Sequence, residues 1–347
     1  MVTLGTDSHK QSHTVVAVDG NGRQLAELRV AASPTGHFQA LVWARQWPER
    51  RWAMENCRQL SRGLERDLLT AGEQVQLVSP KLMGSSRRAG RELGKSDPID
   101  ALAVARVALR EPHLPVARLE GRSRELKLLV DHREDLVGER TRTQNRLLWH
   151  LHELEPGWVV APSGLTRGVV LQEVARRLQV HSGLVAEIAG EQVKRLTELN
   201  ASVKRLQRRI EAMTAELAPS LLALPGCGGL TAAKLVAETA DVRRFRSKDA
   251  FAMHNGTAPI PVWSGQQRRH RLNRGGNRQL NVALHRIAIT QLRLGGQARA
   301  YIERRMSFGD SKIEAIRVLR RQLSDEVYRR LRADVHEHAP ESATLAA

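Results

Sequence analysis

Four acidic residues stand where strands end or a helix begins: Asp7 in "VTLGTD", Glu55 in "RRWAMEN", and Asp97 and Asp100 in "GKSDPIDALAVA". Asp97 and Asp100 are three positions apart and share a helix face. Oxygen-only ligands of this kind suit Mg²⁺, and two such ions can stabilise both the attacking and the leaving oxygen of a phosphodiester displacement. Several carboxylates are needed because each ion must be held while positions stay open for substrate. Taken alone, "SDPID" reads as a helix start, with Asp97 as N-cap, Pro98 in the first turn and Asp100 complementing the helix dipole. Asp7 alone reads as a turn former before His9 and Lys10, and Glu55 as a solvated strand end. Their joint placement is what points to a metal.

A second chemistry is suggested by "WSGQQRRHRLNRGGNRQLN", residues 263–281. Arg268, Arg269, Arg271, Arg274 and Arg278 crowd a segment broken by Gly265, Gly275 and Gly276, which predicts a flexible basic loop. Ser264 precedes Gly265 in a turn that would expose its hydroxyl beside guanidinium groups able to bind a phosphate. By spacing alone a Ser-Gly turn is only a turn, and nothing marks His254 or His270 as a base. In "LPGCGGLTAAKL" (224–235), Gly226, Gly228 and Gly229 give a helix-hairpin-helix-like turn whose backbone amides could approach a phosphate. Gly-rich turns between helices are also routine.

The elements that must position these groups divide the chain. Strands are predicted over 2–7 and, either side of the Asp19–Gly22 turn, within 13–30, then over 50–56 and 73–80. Helices capped by Ser33-Pro34 and ended by Gly72 separate the later ones. Three meandering strands, then helix, strand, helix, strand, is the order of an RNase H-like domain, in which the first and fourth strands are neighbours. Asp7 and Glu55 would then meet at one edge. Beyond Pro98 strand signals nearly vanish. Helices are predicted over 98–110, 122–154 and 310–332. From Leu196 to Leu217 apolar residues recur at spacings of three and four, a coiled-coil seam that needs a partner helix from 122–154, from a second copy, or from both. The expected divisions are 1–112, 113–218 (long helices and coiled coil), 219–334 (mainly α) and a disordered tail over 335–347.

Composition narrows the partners. Among 347 residues, Lys and Arg total 55 against 37 Asp and Glu, a net charge of +18, and arginine dominates the cations. A polyanion is the expected partner, bound bidentately through phosphates. Aromatics make up only 3%, which argues against a single-strand binder that stacks bases on exposed rings. No run of about 18 apolar residues marks a membrane span, and "MVTLGTDSHK" lacks a signal-peptide layout, so a soluble cytoplasmic protein is expected. Cys57 and Cys227 lack metal-site spacing and read as reduced, structural thiols.

Together "GTDSHKQSHTVVAVD", "WAMEN", "GKSDPIDALAVA", "LLALPGCGGLTAAKLVAE" and "PVWSGQQRRHRLNRGGNRQLNVALHRIA" resemble, in order and spacing, the DEDD-type insertion-sequence transposases, from about residue 2 to 332. The resemblance implies a RuvC-like N-terminal domain, a coiled-coil section and a C-terminal transposase domain. It further implies a DNA recombinase guided by a structured noncoding bridge RNA that pairs with target and donor DNA, acting as a homodimer or homotetramer on the bacterial nucleoid. By motif, the four acids fall on Asp7, Glu55, Asp97 and Asp100, which bind Mg²⁺. The family serine falls on Ser264, which attacks a phosphodiester to give a phosphoserine intermediate, the acids of one subunit being completed by the serine of another. The sequence departs from the family at Glu55-Asn56-Cys57-Arg58, where "E-A-T-G" is usual, at Lys95-Ser96-Asp97 for "K-T-D" and at Trp263-Ser264-Gly265 for "S-S-G". Two rival readings fit the same residues: a hydrolytic RuvC-like Holliday-junction nuclease, and a non-catalytic architectural nucleic-acid binder.

Overall fold

Apolar residues on both sides of the first strands require a sheet covered on both faces, and the N-terminal segment builds one. The computed structural model describes residues 1–55, 60–80, 82–84, 96–111, 113–119, 121–265 and 267–337. The chain divides into two compact units, residues 1–119 and 120–347.

In the first unit, β1 (Val2–Ser8), β2 (Ser12–Val18), β3 (Gln24–Ala31), β4 (Arg50–Glu55) and β5 (Val75–Val78) form one sheet in the order β3-β2-β1-β4-β5. The first three strands run antiparallel, whereas β4 is parallel to β1 and to β5. This is the RNase H-like strand order expected from the sequence. The Asp19 carboxylate accepts from the amides of Asn21 and Arg23, each at 2.9 Å, which fixes the β2–β3 turn.

Helix α1 (Pro34–Ala44) starts as predicted, with Ser33 Oγ accepting from the Gly36 amide at 3.2 Å and Pro34 in the first turn. With α2 (Arg62–Thr70) it covers one face, where Ala40, Ala44, Leu64 and Leu68 join Leu4, Val15, Trp52 and Met54 in one core. Helix α3 (Asp97–Arg110) supplies Ala101, Val104, Ala105 and Ala108 to clusters with Val16, Val18 and Ala53. Strand alternation thus sends odd positions of β1 towards α3 and even positions towards α1 and α2.

On the α1 face, Asp67 Oδ2 lies 2.6 Å from His37 Nδ1, and His37 Nε2 lies 3.3 Å from His13 Nε2. Burial, with the nearby His37 and His9, pushes the His13 pKa down to about 4. The unfolded chain then takes up a proton below its ordinary pKa near 6.5 that the folded chain refuses until about 4. Stability from this residue is therefore full above pH 6.5 and falls as the pH drops towards 4, by about 3 kcal/mol. Urea midpoints measured from pH 7 to pH 4.5 should show this slope, and His13→Gln should flatten it. An unchanged slope would assign the acid sensitivity elsewhere, for instance to His254, whose burial lowers it to about 4 as well.

The second unit is mostly helical. The long helices α4 (Arg122–Leu154) and α6 (Leu184–Leu217) lie side by side, with α5 (Gly168–Leu178) between them in sequence. Their cross-contacts run antiparallel: His150 meets Gln192, Glu139 meets Arg195 and Arg133 meets Gln207. Leu196, Leu199, Val203, Ile210 and Met213 of the predicted seam are buried, so α4 of the same chain supplies a partner helix.

The remaining α-helices and strands are α7 (Pro219–Leu222), α8 (Gly229–Thr239), α9 (Lys248–Asn255), β6 (Ile260–Ser264), β7 (Gln267–Arg271), α10 (Arg278–Leu294), α11 (Gln297–Ser307) and α12 (Lys312–Glu337). Phe251, Leu280, Leu284, Ile287, Leu323 and Val327 are central to their core. Cys227 is a free, buried thiol, and burial pushes its pKa up to about 12. Helix α12 continues five residues past the predicted end at 332. Cys57, the turn after Glu55, Lys95 and the tail from residue 338 lie outside the described residues. Among the described residues, no helix is long and apolar enough to cross a membrane.

Candidate functional site

Asp7 is the next-to-last residue of β1 and Glu55 the last of β4, one step beyond the Thr6–Met54 pair of these parallel neighbours. Both belong to the face on which α3 lies, and α3 opens with Asp97 and Asp100. Sheet order, strand parity and one helix start therefore bring all four acids to one place. Asp7 records this electrostatically. Its pKa is pushed up to about 6, first by burial and then by the charges of Asp100, Asp97 and Glu55, against the opposing effect of His9.

The residue is only 7% exposed, and among the described residues no hydrogen-bond donor reaches its Oδ2. A buried carboxylate oxygen without a donor, beside three further carboxylates, is costly unless a cation shares the site. Hard oxygen donors fit a divalent ion, and Asp7, Glu55, Asp97 and Asp100 are the residues that would hold it.

The start of α3 differs from expectation. Asp97 is its first helical residue rather than its N-cap, and Ser96 precedes it in extended backbone at φ −149° and ψ 157°. Among the described residues, no side chain caps this end. Pro98 fits within the first turn, where amides have no intrahelical partner, so the helix can begin one residue earlier. The Asp97 oxygens instead lie 3.9 Å from His9 Nε2 and 3.8 Å from Arg29 Nη2. Capping and metal binding do not compete for this carboxylate.

The basic segment also differs from expectation. Instead of a flexible loop, Ile260–Ser264 and Gln267–Arg271 form an antiparallel hairpin with Ser264 paired to Gln267 at its turn. Gly265 in that turn has φ +65°, which glycine adopts without strain. Backbone register places Ser264 in the same alternate set as Arg269 and Arg271. The side chains of Arg269, Arg271, Arg274 and Arg278 are exposed. Arg274 follows the hairpin, and Arg278 opens α10 after the Asn277 cap, whose Oδ1 accepts from the Gln279 and Leu280 amides.

At the other predicted phosphate site, Gly228 is exposed at the N-cap position of α8, preceded by the four-residue α7. Gly226, at φ +80°, turns against α10, where an added Cβ would lie 3.1 Å from the Ile287 carbonyl oxygen. Gly226 is thus placed by packing as well as by its turn.

Two family models match the chain. That of the DEDD transposases of IS110 covers residues 4–156, and that described as "Transposase IS116/IS110/IS902 family" covers residues 218–303. The chain belongs to the DEDD transposases of the IS110 type. A 44.8 kDa insertion element IS116 protein of Streptomyces clavuligerus is 27% identical over 95% of this chain and 94% of its own length. The transposase for insertion sequence element IS1328 of Yersinia enterocolitica is 27% identical over 76% of this chain and 75% of its own. Among solved structures, T. thermophilus RuvC in complex with a Holliday junction substrate aligns over 32% of this chain and 94% of that chain, at 20% identity and TM-score 0.26.

In this transposase the four acids lie together in the first unit, whereas Ser264, the five arginines and the glycine turn belong to the second. Two residues at the acid site carry no weight in the sequence reading. His9, in the sequence reading only the residue after the Asp7 turn, lies just beyond β1 with its ring 3.5 Å from Asp7 Oδ2. Gly5, inside β1, lies directly under α3, and a glycine within a strand is the sequence signal of such a close approach.

Proposed function

We propose that this transposase cuts and rejoins DNA at the ends of its element by a Mg²⁺-dependent serine mechanism, guided by a structured noncoding RNA. The observation that supports this most is the buried Asp7 carboxyl, whose pKa is raised to about 6 among Asp100, Asp97 and Glu55. An arrangement that raises the cost of a negative charge suits a site that takes up a cation. Bound Mg²⁺ would stabilise charge on the oxygens of the phosphate undergoing exchange.

The chain's own groups carry the remaining steps. The Ser264 hydroxyl oxygen bonds to the scissile phosphorus as the strand's bridging P–O bond breaks, the serine proton leaving to solvent and the released strand-end oxygen taking up a proton, which conserves the phosphodiester energy for rejoining. Arg268, Arg269, Arg271, Arg274 and Arg278 hold the phosphates around it, and the amides near Gly226 and Gly228 bind backbone phosphate further along. The acids of one subunit are completed by the serine of another, in a homodimer or homotetramer.

The test is a denaturing gel of the protein incubated with Mg²⁺ and DNA carrying the element ends. A protein–DNA adduct is expected, and Ser264→Ala should lose both adduct and strand exchange while still binding DNA. Cleaved ends without an adduct would instead indicate the hydrolytic junction nuclease. Mg²⁺-indifferent binding without cleavage would indicate the architectural binder. Sequencing of RNA that co-purifies with the protein should return one discrete structured species, and a random mixture would remove the guide from the reading.

A further inference from the structure

We propose that His9 is a nitrogen ligand of the acid site and shifts its preference from Mg²⁺ towards Mn²⁺ and other transition-series divalent ions. This rests on the metal site proposed above and specifies its ligand set. His9 sits in the tight turn after β1, where its amide donates to the Ser12 carbonyl at 2.9 Å. Its Nδ1 lies 3.5 Å from Asp7 Oδ2, and its Nε2 lies 3.9 Å from Asp97 Oδ1. One ligand atom each from Asp7, His9 and Asp97 falls within 4.8 Å of the others. Ligands about 2.2 Å from a shared ion are themselves separated by roughly 3 to 4.4 Å, so small side-chain adjustments close the set.

Two further observations point to a ligand here and not merely to a surface ion pair. The Asp7 Oδ2 facing the ring is buried and has no hydrogen-bond donor among the described residues. The imidazole is 51% exposed by side chain, so it can rotate to offer one nitrogen without disturbing the core. Mg²⁺ prefers oxygen donors and holds its waters tightly, whereas imidazole nitrogen favours Mn²⁺, Co²⁺ and Zn²⁺ increasingly. A mixed nitrogen and oxygen set therefore predicts selectivity that four carboxylates alone would not give.

The experiment titrates the full-length protein with Mn²⁺ and with Mg²⁺, and records electron spin-echo modulation of bound Mn²⁺. Wild type should show coupling to a ¹⁴N nucleus. His9→Ala and His9→Gln should lose that coupling and bind Mn²⁺ about tenfold more weakly, with Mg²⁺ affinity changed less than twofold. Absence of nitrogen coupling in wild type, or an equal loss for both ions, would overturn the proposal. Wild type and Asp7→Asn binding Mn²⁺ alike would instead overturn the carboxylate site itself. Unfolding midpoints in EDTA that match wild type establish that the His9 variants are folded.

Discussion

Asp7→Asn is expected to make the metal-free protein more stable at pH 7.5 and to abolish both its stabilisation by divalent ions and its strand exchange. The sign follows from the raised pKa. A carboxyl that titrates at about 6 when folded and 3.8 when unfolded contributes its full stability below pH 3.8 and loses it as the pH rises through 6. At pH 7.5 the folded chain therefore carries an ionised, buried carboxylate at a cost of about 2 to 3 kcal/mol. Asparagine keeps the shape, removes that charge and offers an amide donor to the neighbouring acids. The first unit should gain about 2 kcal/mol in EDTA, read as a higher urea midpoint. With millimolar Mg²⁺ or Mn²⁺, wild type should gain stability by mass action, and Asp7→Asn should not. A variant less stable than wild type in EDTA would mean that Asp7 serves the fold, and a retained Mg²⁺-dependent gain would mean that it does not hold the ion.

The convergence of the four acids was legible in the sequence although no one of them was convincing alone. Asp7 lies next to the end of β1 and Glu55 closes β4, and strand order makes β1 and β4 neighbours, so parity and topology suffice to bring the residues together. What the pattern could not give was the detail at element ends. Helix periodicity does not distinguish a first helical residue from a cap, so Asp97 was placed one position off. The hairpin was missed because its β7 strand, Gln267–Arg271, is rich in arginine and offers no apolar alternation. Only the glycine at its turn signalled it. The seam on α6 showed that a partner helix was required, but a heptad carries no information on which chain supplies it. The nearness of His9 to Asp97 was not legible because the turn after β1 shows what it faces only once the opposing helix is in place.

Gly5→Ala is expected to damage the acid site as severely as removal of a ligand, without touching any ligand. An alanine Cβ at this position would lie 2.2 Å from the Ala101 carbonyl oxygen, 2.5 Å from the Ala105 amide nitrogen and 2.7 Å from the Ala105 Cβ. Two of these atoms are backbone and the third is fixed to it, so no rotamer change relieves the overlap. Either β1 or α3 must move by about an ångström, at a cost of roughly 3 kcal/mol. The movement acts at the acid cluster: Asp100 immediately precedes Ala101 on α3, and Asp7 lies two residues beyond Gly5 on β1. The same displacement that weakens the fold therefore separates the carboxylates. Mn²⁺ affinity should fall at least tenfold, together with a lower unfolding midpoint for the first unit and an unchanged transition for the second. If Gly5→Ala bound Mn²⁺ with wild-type affinity in a folded first unit, the seating of α3 on β1 would not set the site. A loss of affinity at a wild-type midpoint would show that the acids tolerate less displacement than the core, as expected if they hold an ion together.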